Sequence, residues 1–300
     1  MAQQGPLAGE FEQHRPHLRA VAYRILGSLS EADDAVQDAW LRLSRADTSE
    51  VQSLEAWLTT VVARVALNML RSRNTRRELP LDMHVPDPII DRVDGTDPEH
   101  EALLADSVGL ALLVVLETLT PPERLAFVLH DMFAVPFEEI ATILERSPEA
   151  ARQLASRARR RVRGAAPAAD AALGAQRAVV EAFLAASRDG DFDALVGVLD
   201  PDVVLRADGG AAPGLSHRVQ GAETVAGRAL MFRRADLSIH HALVNGSPGL
   251  LSTRDGELFS VMGLTIRGGR IAEMDILVDP ERLRRLDVTI PGSQATTNHR

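Results

Sequence analysis

These 300 residues contain no cysteine and no lysine, a single tyrosine and two tryptophans. Without cysteine there are no disulfides, no thiolate zinc sites and no cysteine nucleophile. All 33 basic residues are arginine, the cation suited to bidentate contact with phosphate. Nor is there a long apolar run. The longest, Val108 to Leu116, is interrupted by Gly109 and falls well short of the roughly 20 residues that a membrane span needs. The N-terminal MAQQGPLAGEFEQH lacks the basic-then-apolar order of a signal peptide, so a cytoplasmic protein without membrane contact is expected. No histidines and carboxylates cluster at ligand spacing, so neither a metal nor a cofactor is expected.

Hydrophobic residues make up 45% of the chain, enough for more than one core. The net charge is −9, yet the arginines are clustered, and clustering says more about partners than the sum does. The densest cluster is in Ser147 to Arg163. At 100° per residue, Ala151, Leu154, Ala155, Ala158 and Val162 fall on one stripe, the inward face of an amphipathic helix. The opposite face presents Glu149, Arg152, Gln153, Ser156, Arg160 and Arg163. Its N-terminal half has side chains suited to base edges, and its C-terminal half has charge for phosphates. Pro136 to Glu145 is a short helix ahead of it, and Arg146-Ser147 makes the turn, the order of a helix-turn-helix.

Three helices are expected at the start of the chain. Phe11 to Leu26 stops at Gly27, and a second helix opens at Ser30 with Asp33 as an approximate capping box. The second helix buries Ala32, Val36, Ala39, Trp40 and Leu43. Outward it carries Asp33, Asp34, Gln37, Asp38 and Leu41, an aliphatic side chain within an acidic face and a docking point for a basic protein surface. The third runs from Leu54 to Arg77. Its stripe is Leu54, Leu58, Val61, Val62, Val65 and Met69, while Arg64, Asn68, Arg71, Arg73, Arg76 and Arg77 call for a polyanion. The helix dipole accounts for only one or two of those cations.

From 78 to 106 the chain is proline-broken and acidic, which reads as an extended, self-repelling linker. An apolar helix follows at Ser107 to Thr118, and then one opened by Thr120-Pro121-Pro122-Glu123 and ending near Met132. Past the low-complexity stretch Gly164 to Gly174 the class changes. Two helices, a strand at Val203 to Ala207 and a helix at Gly221 to Arg234 come first. Four strands follow, punctuated by Asn-Gly, Asp-Gly and Gly-Gly turns, as in an antiparallel meander. Helices followed by a meander make an α+β cone with one mouth.

This constellation resembles the sigma factors of bacterial RNA polymerase, and more narrowly the extracytoplasmic-function group. The residues that carry the likeness are Asp33 through Arg42, Ala56-Trp57-Leu58-Thr59 through Ser72, and Leu119 through Arg124 together with the helix-turn-helix. The C-terminal part is similar to SnoaL-like domains of the nuclear-transport-factor-2-like fold. The resemblance implies a multidomain chain of two all-α sigma domains, the second with the helix-turn-helix, followed by an α+β SnoaL-like cone. The expected boundaries are 8–77, linker 78–106, 107–165 and 174–288, with a disordered tail at 289–300. It implies core RNA polymerase as partner, gripped by Asp33, Asp34, Gln37, Asp38, Trp40 and Leu41. It also implies promoter DNA, single-stranded at the −10 element under Arg64, Asn68 and Arg71, with Arg73, Arg76 and Arg77 also DNA-binding, and double-stranded at the −35 element under the basic helix.

Family members with this extension carry linker and C-terminal motifs to which Pro86-Asp87-Pro88, Asp208-Gly209-Gly210 and Asp279-Pro280 are similar, and these are expected to tie the extra domain to the linker. The function implied is promoter-specific initiation of a stress or envelope regulon, modulated in cis by the cone, which is also a place for a small ligand. Two alternatives remain open. In one the cone is an isomerase or cyclase whose acid-base groups come from Asp208, His217, His240, His241 and Asp275. In the other the chain is a stand-alone helix-turn-helix repressor.

Overall fold

The computed structural model describes residues 4–46, 51, 53–76, 83–91, 109–165, 173–211, 214–231 and 236–288. The chain divides into two compact units. Residues 1–81, 98–106 and 112–166 form the first, and residues 82–97, 107–111 and 167–300 form the second.

In the first unit, α1 (Gln4–Leu26), α2 (Leu29–Leu43) and α3 (Leu54–Arg76) pack together. Leu18, Val21, Ala22, Ile25 and Leu26 of α1 are fully buried, and α1 ends where Gly27 takes a left-handed φ of 68° and donates to the Tyr23 carbonyl. That turn sets Ser28 in the extended conformation of an N-cap. The second helix therefore begins two residues earlier than its sequence suggests, with Ser28 Oγ accepting from Glu31. Asp33 takes no part in a capping box, because its carboxylate binds Arg19 at 2.7 Å. Ala32, Val36, Ala39 and Leu43 are buried as the stripe requires, but Trp40 is half-buried, its ring tilted on Phe11 at 5.1 Å. In α3 the burial is wider than one stripe and takes in Ala63, Ala66, Leu67 and Leu70, since α3 also packs against the helices that follow.

Those helices are α4 (Leu110–Glu117), α5 (Pro121–Phe127), α6 (Phe137–Leu144) and α7 (Pro148–Ala165). Glu123 accepts from the Thr120 amide and hydroxyl at 3.2 and 2.8 Å, closing the N-terminus of α5. The helix foreseen up to Met132 widens into a π-helical turn at Val128–Met132. Phe133 then sits edge-on to His17 and under the Arg24 guanidinium, both of α1. Arg124 is 2% exposed; it donates to Glu117 at 2.6 Å and to the Arg24 carbonyl at 3.4 Å.

The second unit is a seven-stranded sheet of β1 (Ile90–Asp91), β2 (Leu199–Asp208), β3 (His217–Gln220), β4 (Ser238–Val244), β5 (Ser247–Arg254), β6 (Glu257–Arg267) and β7 (Arg270–Leu277), in the order β1-β4-β5-β6-β7-β2-β3. The hairpins β4–β5, β5–β6 and β6–β7 turn on Asn245-Gly246, Asp255-Gly256 and Gly268-Gly269, each pair with positive φ at both residues. The meander is thus antiparallel, while β2 joins β7 in parallel. One face lies under α8 (Leu173–Asp189), α9 (Phe192–Val198) and α10 (Ala222–Met231). There Val180, Phe183, Leu195 and Val225 meet Val203, Leu205, Leu264 and Met274. The other face is covered by Val85, Ile90, Leu110 and by Leu283 of the short α11 (Pro280–Leu283), on Val244, Leu251, Val261 and Leu277.

The covering of that second face differs from the expected extended acidic linker. Between its acids the segment carries Val85, Ile89 and Ile90, all buried, and Pro86 and Pro88 are buried with them. Ile90 and Asp91 add a strand to the edge of β4. Apolar side chains that find a sheet face outweigh the mutual repulsion of a few carboxylates, particularly when those carboxylates find partners.

Candidate promoter interface and linker clasp

The helix-turn-helix is α6, a tight turn, and α7. Glu145 takes the left-handed conformation at the end of α6, Arg146 donates back to the Ala141 carbonyl, and Ser147 Oγ accepts from Ala150 at 3.2 Å. Ala151, Leu154, Ala155 and Ala158 are buried and Val162 half-buried. Glu149, Arg152, Gln153, Ser156, Arg160 and Arg163 are all exposed, on one surface of α7. Arg152 is held on several sides: it donates to Glu138 at 3.0 Å, lies 3.7 Å from Glu149, and sits 5.4 Å above the Phe137 ring.

On α3, Arg64, Asn68 and Arg71 are exposed along one side. Arg73 is not on that surface. Its guanidinium donates to the Leu26 carbonyl at 3.0 Å, pairs with Glu31, and approaches Glu117 at 3.9 Å. The arginine expected on DNA is a strut between helices, because the carboxylates of α2 and α4 converge on the end of α3. The Arg76 side chain and all of Arg77 lie outside the described residues. On α2, Asp34, Gln37 and Leu41 are exposed, and Leu41 is 43% accessible. Asp33 and Asp38 share the face but are bridged to Arg19 and Arg42.

A second site lies wholly in the second unit, where the three short motifs converge. In Asp208-Gly209-Gly210, Asp208 Oδ1 accepts from Gly210 at 3.0 Å and Gly210 has φ +62°. A Cβ at Gly210 would collide with the Asp279 carboxylate, so glycine there is what allows Asp279 to approach. Asp279 Oδ1 caps α11 by accepting from Glu281 at 2.8 Å and Arg282 at 3.4 Å, with Pro280 at the first helical position. So placed, Arg282 donates to Asp208 at 2.8 Å, to Asp87 at 2.8 and 2.6 Å, and to the Val85 carbonyl at 2.6 Å. His84 Nδ1 and the Val85 amide complete the shell of Asp208 Oδ2, each at 2.9 Å. Further along, Ile89 exchanges two hydrogen bonds with Asn245, at 3.1 and 2.8 Å. Burial alone would raise the Asp208 carboxyl, but the His84 hydrogen bond and the Arg282 charge hold it well below the usual carboxylate range.

Arg282 ends the motif Asp279-Pro280-Glu281-Arg282 and is legible in the sequence as part of it, whereas nothing in the sequence around His84 marks it. Asn245 was visible only as a turn residue.

The five acid-base candidates do not meet in one mouth. Asp208 belongs to the clasp. Asp275 binds Arg206 at 2.9 Å and shares it with Glu273, on the face away from α8–α10. Burial pushes the Asp275 carboxyl up to about 6, helped by Glu273 and opposed by Arg206. His240 bonds Thr253 at 3.0 Å, and His241, pointing the other way, pairs with Glu181 of α8 at 3.2 Å. His217 Nδ1 lies 3.2 Å from the Leu215 carbonyl, and burial lowers its pKa.

Two family descriptions match the chain, Sigma-70 region 2 over residues 11–76 and Sigma-70, region 4 over residues 109–162. The chain is 40% identical over 288 residues to the ECF RNA polymerase sigma factor SigJ of Mycobacterium tuberculosis, covering 91% of this chain and 92% of the relative. It is 36% identical over 293 residues to the probable ECF RNA polymerase sigma factor SigI of the same species, covering 97% of this chain and all of the relative. The crystal structure of Mycobacterium tuberculosis SigJ superposes with a TM-score of 0.75 at 36% identity, covering 94% of this chain and 100% of that one. Two sigma-70 regions, a helix-turn-helix with an exposed basic face and likeness along nearly the whole length lead to one conclusion: this chain belongs to the extracytoplasmic-function RNA polymerase sigma factors.

Proposed function

We propose that this sigma factor, which acts with core RNA polymerase on promoter DNA, reads −35 duplex with Glu149, Arg152, Gln153 and Ser156. In this reading Arg160 and Arg163 rest on phosphates, and Arg64, Asn68 and Arg71 meet the unpaired −10 strand. The exposed Leu41 with Asp34, Gln37 and Asp38 docks on polymerase, and the protein works in the cytoplasm. Its C-terminal unit regulates it in cis by holding the linker. One observation carries the regulatory reading: residues 85–91 are clasped by Asp208, Arg282 and Asn245 and buried on the sheet instead of lying open to a partner. Among the described residues no helix is long and apolar enough to cross a membrane.

The test is transcription from a promoter panel by purified core polymerase with four proteins: the full chain, chains ending after Ala166 and after Asp279, and Arg282→Ala. Releasing the linker should change both output and promoter choice. Equal transcription from all four would remove the regulatory role. Gel shift with and without core enzyme separates a sigma factor from a repressor, since a repressor binds the duplex unaided.

A ligand of the cone would be small and apolar, because the partly exposed side chains on the helix-covered core, among them Val219, Leu230, Met262 and Ile276, are hydrophobic. Titration with a fluorescent apolar probe, compared with Met262→Asp, tests it.

A further inference from the structure

Arg152 is held in place by its surroundings before any DNA is bound. On one side the Phe137 ring lies 5.4 Å below its guanidinium, and Phe137 is itself stacked on His130 with ring centroids 3.8 Å apart. His130 is anchored in turn, its Nδ1 3.1 Å from the Val135 carbonyl. At the edge, Nη2 donates to the Glu138 carboxylate at 3.0 Å, while Glu149 stands 3.7 Å from Nη1. Phe137 and Glu138 open α6, the first helix of the helix-turn-helix, so the element that supports the reading helix also fixes the orientation of one of its readers.

An arginine has five N–H donors in a rigid fork, so the bond to Glu138 leaves others directed outward. A guanidinium locked in rotation about its long side chain can present two parallel N–H groups to one acceptor pattern, and guanine O6 and N7 match that pattern in the major groove. An unrestrained arginine can swing instead to a phosphate, which carries no sequence information.

We infer that Glu138 is a specificity-determining positioning residue: with the Phe137 ring it holds Arg152 to a guanine edge in the −35 element and away from the backbone. This rests on the reading of α7 as the −35 reader. Glu138 is itself a carboxylate close to DNA, so it weakens non-specific affinity while it sharpens choice. The two effects of removing it are therefore opposite in sign, which distinguishes positioning from simple loss of a contact.

The test uses holoenzyme assembled from the full-length chain and core polymerase, transcribing a promoter library randomised across the −35 element. Wild type, Arg152→Ala, Glu138→Ala and Glu138→Gln are compared position by position. Arg152→Ala should flatten the guanine preference at one position. Glu138→Ala should weaken that same preference about two- to fivefold, the range of an exposed ion pair, and leave the other positions and total output undiminished. Glu138→Gln keeps an acceptor for Nη2 and should restore most of the preference. The inference is overturned if Glu138→Ala shifts all positions alike, if Glu138→Gln behaves as the alanine variant, or if Arg152→Ala changes no position. A wild-type profile with no −35 preference overturns the reading of α7 as well.

Discussion

Arg282 Nη1 donates to Asp208 Oδ2 at 2.8 Å, joining two residues 74 positions apart over a carboxylate that is 1% exposed. Removing the cation deletes the Arg282 charge that buried Asp208 and Asp87 share. Breaking a buried pair from one side costs about 3–5 kcal/mol, and the remaining His84 and Val85 donors place Arg282→Ala near the low end. Hydrogen exchange should report it directly. Amides of residues 85–91 should exchange much faster in the variant while those of β6 stay protected. Unchanged protection would mean that apolar burial alone holds the segment.

Asp208 and Asp275, both buried, give opposite pH responses. Asp208 is held below its ordinary range, so its contribution is present above about pH 4 and lost only as pH falls further. Asp275 is raised from 3.8 to about 6, so the folded state keeps a proton that the unfolded chain releases. Its contribution is complete below about pH 4 and lost as pH rises through about 6. His217, whose pKa burial lowers, contributes in the opposite direction, so the comparison is with Asp275→Asn: in urea unfolding the stability of wild type relative to that variant should fall from pH 5 to pH 7. A difference that does not change with pH would overturn the assignment.

Arg124 and Arg160 are both arginines of sigma-70 region 4, yet they should fail differently. Arg124 is buried against Glu117 and the Arg24 carbonyl, so Arg124→Ala should cost about 3–5 kcal/mol in denaturant unfolding. Arg160 is exposed, so Arg160→Ala should leave stability within about 0.5 kcal/mol. The holoenzyme carrying Arg160→Ala should instead lose affinity for all promoters alike, with the salt slope reduced by about 1. Promoter-dependent loss would move Arg160 from the phosphates to a base edge.

Neighbouring leucines of α2 make a similar contrast. Leu41→Ala should weaken binding to core polymerase by about tenfold with the melting temperature unchanged, since Leu41 is 43% exposed. Leu43→Ala, at a fully buried position, should destabilise the first unit by about 2–5 kcal/mol. Calorimetric titration and thermal melting on the same two variants separate the roles.

What could be read from the chain depended on how local its cause was. The hairpin turns at Asn245-Gly246, Asp255-Gly256 and Gly268-Gly269 were legible because positive φ at adjacent residues has a short-range signature. The inward face of α7 followed from periodicity alone. The place of Arg73 is not legible in its own helix, because the carboxylates that capture it, Glu31 and Glu117, lie 42 and 44 residues away, beyond the reach of any local pattern. The clasp was legible as three short motifs but not as one site. Its bonds span up to 197 residues, and alternation along β2 says that Arg206 and Asp208 share a face without saying which face.

The strand Ile90–Asp91 stands at the edge of the sheet, capping β4. Any state in which it departs leaves the β4 edge with unpaired amides and carbonyls beside exposed Ile239, a template for pairing with another chain. Release of the linker therefore carries a solubility hazard as well as a gain of reach. A sigma factor built this way is safest when the freed state is brief or is taken up at once by polymerase.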